Sequence, residues 1–245
     1  MNTILVTGGR GQVARALAKL APRFAGLGYR LHKIGRPTFD FERPDTIDAC
    51  FADAAPALVV NAAAWTAVDL AESHPKAAAR ANDTGPARLG ELCAAADIPL
   101  IHLSTDYVFD GAKGAPYLET DAAKPLGVYG ATKRVGEHRI QALGGKSVIL
   151  RTSGVYAAEG KNFVRTMLAA AQKADTVRVV ADQRLCPTSA DDLAEAIFAI
   201  VTRIDADWRD SYGGIFHAAG HGGTSWHGFA EAIFAAAAQH GRAAP

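Results

Sequence analysis

The sequence predicts an α/β fold in which a doubly wound parallel sheet carries helices on both faces. Short β-branched runs alternate with longer alanine-rich segments of helical spacing, and strand candidates such as LVVNAA are apolar throughout. Strands of that kind are buried on both faces, as in parallel sheets covered by helices. Such sheets bind ligands beyond the carboxyl ends of their strands, so functional residues are expected there.

The order of the elements predicts the domain organisation. Residues 1–152 should form the main domain, and residues 153–245 a smaller C-terminal lobe together with the remaining α/β elements. Two later strands, 177–181 and 214–218, are expected to return to the main sheet. The other predicted strands lie at residues 3–7, 30–34, 57–61, 99–104 and 147–152, and the main predicted helices at residues 12–20, 45–54, 86–96, 129–143, 162–173 and 190–203.

The composition is that of an ordinary soluble globular protein, with 49% hydrophobic and 21% charged residues. A formal net charge of +1 without a Lys/Arg block argues against a nucleic-acid surface or a polybasic membrane patch. The N-terminus does not resemble a signal peptide, and no apolar run approaches the roughly 18 residues of a membrane span. Cys50, Cys93 and Cys186 are odd in number and far apart. The cytoplasm, a reducing compartment, is therefore expected.

The first predicted strand ends in TGGRGQVA, residues 7–14. Gly8, Gly11 and Ala14 are spaced by three, which allows a tight turn, close approach of backbone N–H groups to a pyrophosphate, and packing of a helix on the strand. A glycine-rich loop alone can be a plain turn, but its place between a strand and a helix favours dinucleotide binding.

The second strand is followed by KIGRPTFDFERP, which offers Arg36, with Lys33 close by, where an acidic residue would grip a ribose 2′-hydroxyl. A guanidinium there matches a 2′-phosphate, so NADPH is expected to be preferred over NADH, with NADH as a second option. The alternative is a solvent-exposed arginine. Asp40 and Phe41 are expected to bind and wall the adenine, although an Asx turn explains Asp40 nearly as well.

The third strand is followed by small residues, 62–64, which should allow close contact with the cofactor. Asp69 and Glu72 lie three apart on the next predicted helix. They are interpreted as first-turn charges that complement the helix dipole rather than as cation ligands.

The fourth strand, IHLSTDYVFDG, brings Ser104, Thr105 and Asp106 to the carboxyl edge of the sheet. Tyr129 and Lys133, four apart on a later helix, share one face. Together these groups suit carbonyl reduction: Tyr129 protonates the developing alkoxide, Thr105 hydrogen-bonds the carbonyl oxygen, and the Lys133 ammonium lowers the pKa of the phenol.

The ordered motifs resemble those of the dTDP-4-dehydrorhamnose reductase family of extended short-chain dehydrogenases/reductases, over nearly the whole chain. They are TGxxGQ, NAAAxTAVDxAE, STDYVFDG, YGxTKxxGE, RTSxVY, NFVxTML, DQxxxPT and TSWxxFA. The resemblance implies a Rossmann-like domain and NAD(P)H-dependent reduction of the C4 ketone of a nucleotide-sugar, dTDP-4-dehydro-L-rhamnose. A homodimer is one option.

The resemblance also implies roles for residues. The catalytic residues would be Thr105, Tyr129 and Lys133. The cofactor contacts implied by the resemblance are Gly11, Gln12, Val13, Asp40, Phe41, Ala64, Trp65 and Thr66. The residues themselves add Gly8, Arg36, Ala63, Tyr129 and Lys133 to the expected cofactor contacts. The substrate contacts would include Thr105, Asp106, Gly154, Asn162 and the 182–188 loop.

Three departures from the family pattern bear on the substrate. Gly154 stands where RTSWVY usually has Trp, so an apolar surface beside the sugar is missing. Leu185 replaces the glycine of DQxGxPT, which would be costly if the backbone there had a positive φ. The sequence ends at HGRAAP, whereas family members continue, so the C-terminal lobe is expected to be incomplete.

His217, His221 and His227 invite a zinc site, but their spacing matches no standard metal motif and no cysteine or carboxylate lies among them. We expect no metal, with Thr224 or Ser225 as a helix N-cap. Two other functions stay open: a nucleotide-sugar epimerase or dehydratase of the same fold, and a non-catalytic NADP-binding regulatory subunit.

Overall fold

The structure is a computed structural model that describes residues 1–241. Its strands are β1 (Asn2–Thr7), β2 (Tyr29–Lys33), β3 (Leu58–Asn61), β4 (Leu100–Thr105), β5 (Ser147–Thr152), β6 (Val155–Tyr156), β7 (Arg184–Leu185), β8 (Thr188–Ser189), β9 (Gly214–His217) and β10 (Thr224–Ser225). Its α-helices are α1 (Gln12–Leu20), α2 (Pro44–Ala54), α3 (Val68–Ser73), α4 (Pro75–Ala79), α5 (Gly85–Ala95), α6 (Val128–Ala142), α7 (Phe163–Ala170), α8 (Ala190–Ala206) and α9 (Trp226–Gln239).

Six strands form one parallel sheet in the order β2-β1-β3-β4-β5-β9. Along β1, Ile4 and Val6 join the core cluster that includes α1 and α8, whereas Leu5 joins the cluster that includes α2, α5 and α6. Because successive side chains of a strand point to opposite faces, an apolar run on both sides requires helices on both faces. The predicted doubly wound fold is therefore confirmed.

The chain leaves β1 for β2 on one side and then returns to pair β3 on the other side of β1. This reversal is a topological switch point, where the two loops leaving adjacent strands part and open a crevice for ligands. The loop after β1 and the small residues after β3 border this crevice. A ligand site is therefore expected here from topology alone.

A small lobe lies beyond the main sheet. Its strands form two short pairs, β6 with β8 and β7 with β10, and its helices α7 and α9 pack around Met167, Ala230 and Ile233. Helix α8 and strand β9 return to the main body, as was predicted for the strand. The division of the chain at residue 152 stays a prediction, and residues 242–245 of HGRAAP lie outside the described residues.

The predicted strand at 177–181 is wrong, because that segment has no regular secondary structure. Val177 and Val179 pack against the α7–α9 cluster, and the Val180 carbonyl accepts a hydrogen bond from the backbone N–H of His227 (2.9 Å). Alternating valines favour a strand only where a neighbour pairs with the backbone. Here the alternation serves burial against helices instead.

The predicted helices agree with α1, α2, α5, α6, α7 and α8 to within a few residues at each end. Ser225 is the N-cap of α9, since its Oγ accepts from the N–H of Gly228 (3.0 Å), as one of the two expected caps. Within residues 1–241, none of the helices combines the length and apolar character that crossing a bilayer would require.

Candidate active site

The glycine loop after β1 is built for close backbone contact. Gly8 has φ +70°, and a Cβ on it would lie 2.6 Å from the carbonyl oxygen of Ala62. The Gly9 N–H bonds to Ile34 O (2.8 Å), which ties the loop to the end of β2. Gly11, the N-cap of α1, has no side chain to cap the helix, so backbone N–H groups at this terminus are available to a phosphate.

The side chains that follow the loop connect it to the small lobe. Gln12 Oε1 accepts from Asn162 Nδ2 (3.0 Å), and Gln12 Nε2 donates to Val155 O (3.3 Å). Asn162 also caps α7 through its Oδ1 and is buried. Its amide is thus engaged in holding the lobe to the loop. Val13 is buried in the core, so its contact with a cofactor would have to come from its backbone.

The end of β2 carries exposed cations. Arg36, Lys33 and also Arg10, in the glycine loop, make no hydrogen bond or ion pair with any residue in the 1–241 range. The bond between Gly9 and Ile34 brings the Arg10 segment beside the Arg36 segment. Sequence reasoning missed Arg10, although its position inside the glycine loop was a usable signal.

The adenine-side residues are only partly as expected. Asp40 Oδ1 accepts from the N–H of Glu42 (3.0 Å), which is the Asx turn that was considered as its alternative role. The Phe41 ring lies in the core, packed edge-on against Phe39 (5.1 Å between centroids) and over Gly85. The structure therefore does not present this ring as an exposed wall.

After β3, the backbone is held by a buried asparagine from the π-helical turn Arg80–Thr84. Asn82 Oδ1 accepts from the N–H of Trp65 (2.8 Å), and its Nδ2 donates to Trp65 O (3.2 Å). Ala63, Ala64 and Trp65 are half-buried, whereas Thr66 is exposed. This segment thus lines the switch-point crevice with small groups and one indole.

Two close contacts bring α6 against the segment after β4 and against the Arg80–Thr84 turn. A Cβ on Gly130 would lie 2.0 Å from Tyr107 O, and a Cβ on Gly136 would lie 2.1 Å from Asn82 O. Glu72 was interpreted as a first-turn charge of its own helix, which is wrong. It lies near the end of α3, and its Oε1 accepts from the N–H of Val128 (2.8 Å), where it caps α6.

This packing unites the three residues predicted to be catalytic. The Tyr129 hydroxyl lies beside the Thr105 side chain, which lowers the pKa of the phenol, and Tyr129 and Lys133 lie on successive turns of α6. Thr105 Oγ1 also accepts from the N–H of Tyr107 (3.2 Å), which fixes its rotamer. Thr105, Tyr129 and Lys133 are all buried, with exposures of 5%, 9% and 1%. The arrangement can hold a carbonyl oxygen and deliver a proton to it.

Burial, rather than Lys133, has the largest effect on the pKa of the Tyr129 phenol. It raises the pKa of Tyr129 to about 12, partly opposed by the polar Thr105 side chain beside the phenol. The expectation that Lys133 lowers this pKa is wrong for the present arrangement, because Nζ is directed to Leu103 O (2.6 Å) and lies against His102 Nε2 (3.3 Å).

A half-buried carboxyl joins the β4 end to the 182–188 loop. Asp106 accepts from Thr105 Oγ1 (3.2 Å) and from Ser153 Oγ (2.5 Å), and Ser153 in turn accepts from the N–H of Cys186 (3.2 Å). Burial raises the pKa of Asp106. Sequence reasoning missed Ser153, yet a hydroxyl directly after β5 repeats the signal that singled out Ser104 and Thr105.

Gly154 and Leu185, two departures from the family pattern, are in contact. Gly154 has φ +51°, and a Cβ on it would lie 2.6 Å from Leu185 Cδ1. Leu185 does not have a positive φ; it lies in β7, is 6% exposed and pairs with Thr224. The backbone strain considered for Leu185 is therefore absent. The leucine side chain occupies space that a side chain at position 154 would need.

Replacing Gly154 with Ala should destabilise the fold by about 1–2 kcal/mol through its left-handed backbone and by about 1–3 kcal/mol more through overpacking. The second part should vanish when Leu185 is also changed to Ala, which a double-mutant cycle of urea unfolding would measure. Gly111→Ala is the matched control, because Gly111 has φ +74° but no atom near its Cβ position. If the effects of Gly154→Ala and Leu185→Ala on the free energy of unfolding were strictly additive, the contact between the two residues would be contradicted.

No group of three or more potential metal ligands occurs in the described part of the chain. His217 donates its backbone N–H to Glu119 Oε1 (2.9 Å), and the His227 ring lies 3.4 Å from Glu231. These histidines therefore face different partners.

Known proteins match this chain over most of its length. The family profile described as "RmlD substrate binding domain" matches residues 1–245. A dTDP-4-dehydrorhamnose reductase from Sinorhizobium fredii is 44% identical over 232 residues, which are 94% of this chain and 77% of that protein. The structure of such a reductase from Bacillus anthracis in complex with NADP has a TM-score of 0.88 at 29% identity, covering 97% of this chain and 82% of that one. A UDP-glucose 4-epimerase from Brucella ovis, with a TM-score of 0.80 at 23% identity over 100% of this chain and 85% of the epimerase, shares the fold.

Proposed function

The chain belongs to the dTDP-4-dehydrorhamnose reductase family, and from this premise we propose that it reduces the C4 ketone of dTDP-4-dehydro-L-rhamnose to dTDP-L-rhamnose with NADPH. The observation that carries the proposal is that the buried Thr105 and Tyr129 side chains lie together at the sheet edge that also holds the glycine loop. This pair supplies both an oxygen-binding group and a proton donor. A regulatory subunit without activity would not need that geometry.

The residues present fit a dinucleotide. NADPH, when bound, supplies the hydride. The Gly8 turn leaves no room for a side chain, and the open N-terminus of α1 offers N–H groups to a pyrophosphate. Gly11, Gln12 and the 63–66 segment are the proposed neighbours of the cofactor, with Arg10 and Arg36 toward its adenosine end.

The chain's own groups have distinct proposed roles. Tyr129 donates its phenolic proton to the substrate oxygen, and Thr105 donates a hydrogen bond to the same atom and fixes its distance from the phenol. In the present arrangement Thr105 donates its single hydroxyl proton to Asp106, which is held by Ser153, so this proton must turn from Asp106 to the substrate oxygen when the substrate binds. Lys133 contributes a charge beside the nicotinamide ribose when it is protonated.

The direct test follows NADPH absorbance on addition of dTDP-4-dehydro-L-rhamnose, with the product identified by NMR. One NADPH should be consumed for each dTDP-L-rhamnose formed. An epimerase or dehydratase would turn over without net loss of the reduced cofactor, because it restores its cofactor in each cycle. Absence of NADPH oxidation by the intact protein would refute the proposed activity.

Replacing Arg36 or Arg10 with Ala should lower kcat/KM for NADPH relative to NADH by about tenfold or more each. A charge-assisted hydrogen bond to a 2′-phosphate contributes about 1.5–3 kcal/mol, and NADH has no phosphate there. The measurement is the ratio of the two kcat/KM values. Arg23→Ala is the control, since this exposed arginine pairs with Glu195 and should leave the ratio unchanged. An unaltered ratio in both test variants would remove these arginines from the cofactor site.

We also propose a cytoplasmic location, supported by the use of NADPH and by Cys50, Cys93 and Cys186, which are all free thiols. A homodimer stays a prediction, for which sedimentation equilibrium is the direct measurement.

A further inference from the structure

A row of buried polar side chains crosses the sheet next to the proposed active site. Thr7 Oγ1 donates to Asn61 Oδ1 (2.6 Å), Asn61 Nδ2 lies 2.8 Å from His102 Nδ1, and His102 Nε2 lies 3.3 Å from Lys133 Nζ. These side chains come from β1, β3, β4 and α6, and none is more than 1% exposed. The mechanism uses only the lysine, so the role of the histidine is unassigned.

The orientation of the Asn61 amide is fixed by a donor that cannot change. The backbone N–H of Ala63 points to Asn61 Oδ1 (3.2 Å) and to Thr7 Oγ1 (3.2 Å). A flipped amide would set its NH₂ against this N–H, two donors facing each other. The oxygen therefore faces Ala63 and Thr7, and the NH₂ faces His102.

This orientation fixes the tautomer of His102. Since Asn61 Nδ2 donates to Nδ1, that nitrogen carries no proton, and a neutral imidazole then carries its proton on Nε2. An imidazolium would place an Nδ1–H against the amide NH₂. Complete burial also holds the pKa of His102 well below its usual value.

The tautomer of His102 in turn restricts the protonation state of Lys133. His102 Nε2–H faces Nζ, and Nζ also donates to Leu103 O (2.6 Å). A neutral amine has one lone pair to accept from the imidazole and two N–H groups to donate, whereas an ammonium has only donors. In this position the hydrogen-bond count is satisfied by the amine and not by the ammonium.

The charged groups around Lys133 do not reverse this preference for the amine. Glu137, one turn further along α6, raises the pKa of the lysine, but burial outweighs it and lowers that pKa to about 8. The Glu137 carboxylate is itself neutralised by Arg151 from β5 and by Arg134. From β4, the only titratable group against Nζ in residues 1–241 is His102.

We propose that His102 is a positioning residue for Lys133: its Nε2–H holds the lysine beside the sheet and opposes the ammonium, so that Lys133 gives up its proton more readily than an ordinary lysine. The inference rests on the proposed function for the use of the lysine in the reaction. Asn61 controls this contact, because it selects the tautomer of His102. The ammonium that assists Tyr129 is then favoured when this contact breaks.

The tautomer can be read directly from long-range ¹H–¹⁵N spectra of protein labelled in histidine, without substrate. His102 is assigned by the signal lost in His102→Gln, or in His102→Asn should the first variant not fold. We expect a proton on Nε2 and none on Nδ1 at neutral pH. A proton on Nδ1, or an imidazolium, would overturn the proposal.

The effect on the lysine is measured by titrating the ¹⁵N side-chain signal of Lys133. Asn61→Asp, nearly equal in volume, should accept from Nδ1–H and turn Nε2 into an acceptor for the ammonium. His102→Gln offers a carbonyl to the ammonium without adding charge. Both should raise the Lys133 midpoint by at least about one pH unit, and Ile101→Val, buried on the same strand, should not. An unchanged midpoint in both variants would contradict the assigned role.

The pH profile of kcat/KM separates this inference from the proposed activity. Its alkaline limb should follow the Lys133 midpoint and move to higher pH in Asn61→Asp. If the spectra show the expected protonation of His102 and Lys133 but no NADPH is oxidised, the proposed function fails and the inference about His102 stands. If the protein is active while His102 carries its proton on Nδ1, the inference fails and the function stands.

Discussion

Replacing Tyr129 with Phe should lower kcat for NADPH-dependent reduction by about 10²–10⁴-fold, the usual contribution of a positioned general acid. The change removes only the hydroxyl that meets Thr105. The ring, packed against Ala71 and Ala78, should stay in place. The Kd of NADPH, followed by fluorescence, should therefore change far less than kcat.

The pH dependence of this step follows from the raised pKa of Tyr129, about 12. Below that pH the phenol keeps its proton, so proton donation in the reductive direction is not limited by loss of that proton near neutrality. The reverse oxidation needs the phenolate, so its rate should rise with pH through the alkaline range. In the Phe variant this rise should disappear.

Tyr107→Phe is the matched control for Tyr129→Phe. The Tyr107 ring meets Tyr129 edge-on at 5.5 Å, but it is 38% exposed, and its hydroxyl makes no hydrogen bond with residues 1–241. Its removal should leave kcat nearly unchanged. Equal kcat in Tyr129→Phe and wild type would remove Tyr129 from the mechanism.

The second large effect should come from Glu137→Gln, which we expect to reduce the free energy of unfolding by about 3–5 kcal/mol. Glu137 is fully buried and accepts from Arg151 Nε (2.8 Å) and Nη2 (2.7 Å), and from Ser104 Oγ (2.6 Å). Gln can accept with only one oxygen, so the buried guanidinium would lose its counter-charge. The measurement is urea unfolding followed by circular dichroism.

Two further variants identify the cause of that loss. Arg88 makes the same two-bond pair with Asp48 at the surface (2.9 and 2.9 Å), where water screens the charges, so Asp48→Asn should move the unfolding midpoint much less. The double change Glu137→Gln with Arg151→Met should recover part of the stability, because no uncompensated charge is left. If the double variant is no more stable than the single one, the loss is not due to the stranded arginine.

The sequence alone determined the features that depend on local pattern. Apolar runs and helical spacing predicted the sheet, its parallel sense and six of its helices, because each signal lies within one element. The glycine loop and the placement of Thr105, Tyr129 and Lys133 near one edge followed from parallel strands that all end on the same side. The failed strand at 177–181 shows the limit of that reasoning, since strand pairing needs a partner that local pattern does not supply.

Only the tertiary structure decided which distant side chains meet and how buried they are. Glu137 reaches Arg151, Leu185 reaches Gly154, and Asn61 reaches His102, each across a long stretch of chain. Burial removes water as a competing partner, so each donor must find an acceptor within the protein and each charge a counter-charge. Burial also raises the pKa of Tyr129 and lowers that of Lys133, and neither shift can be read from residue type and spacing.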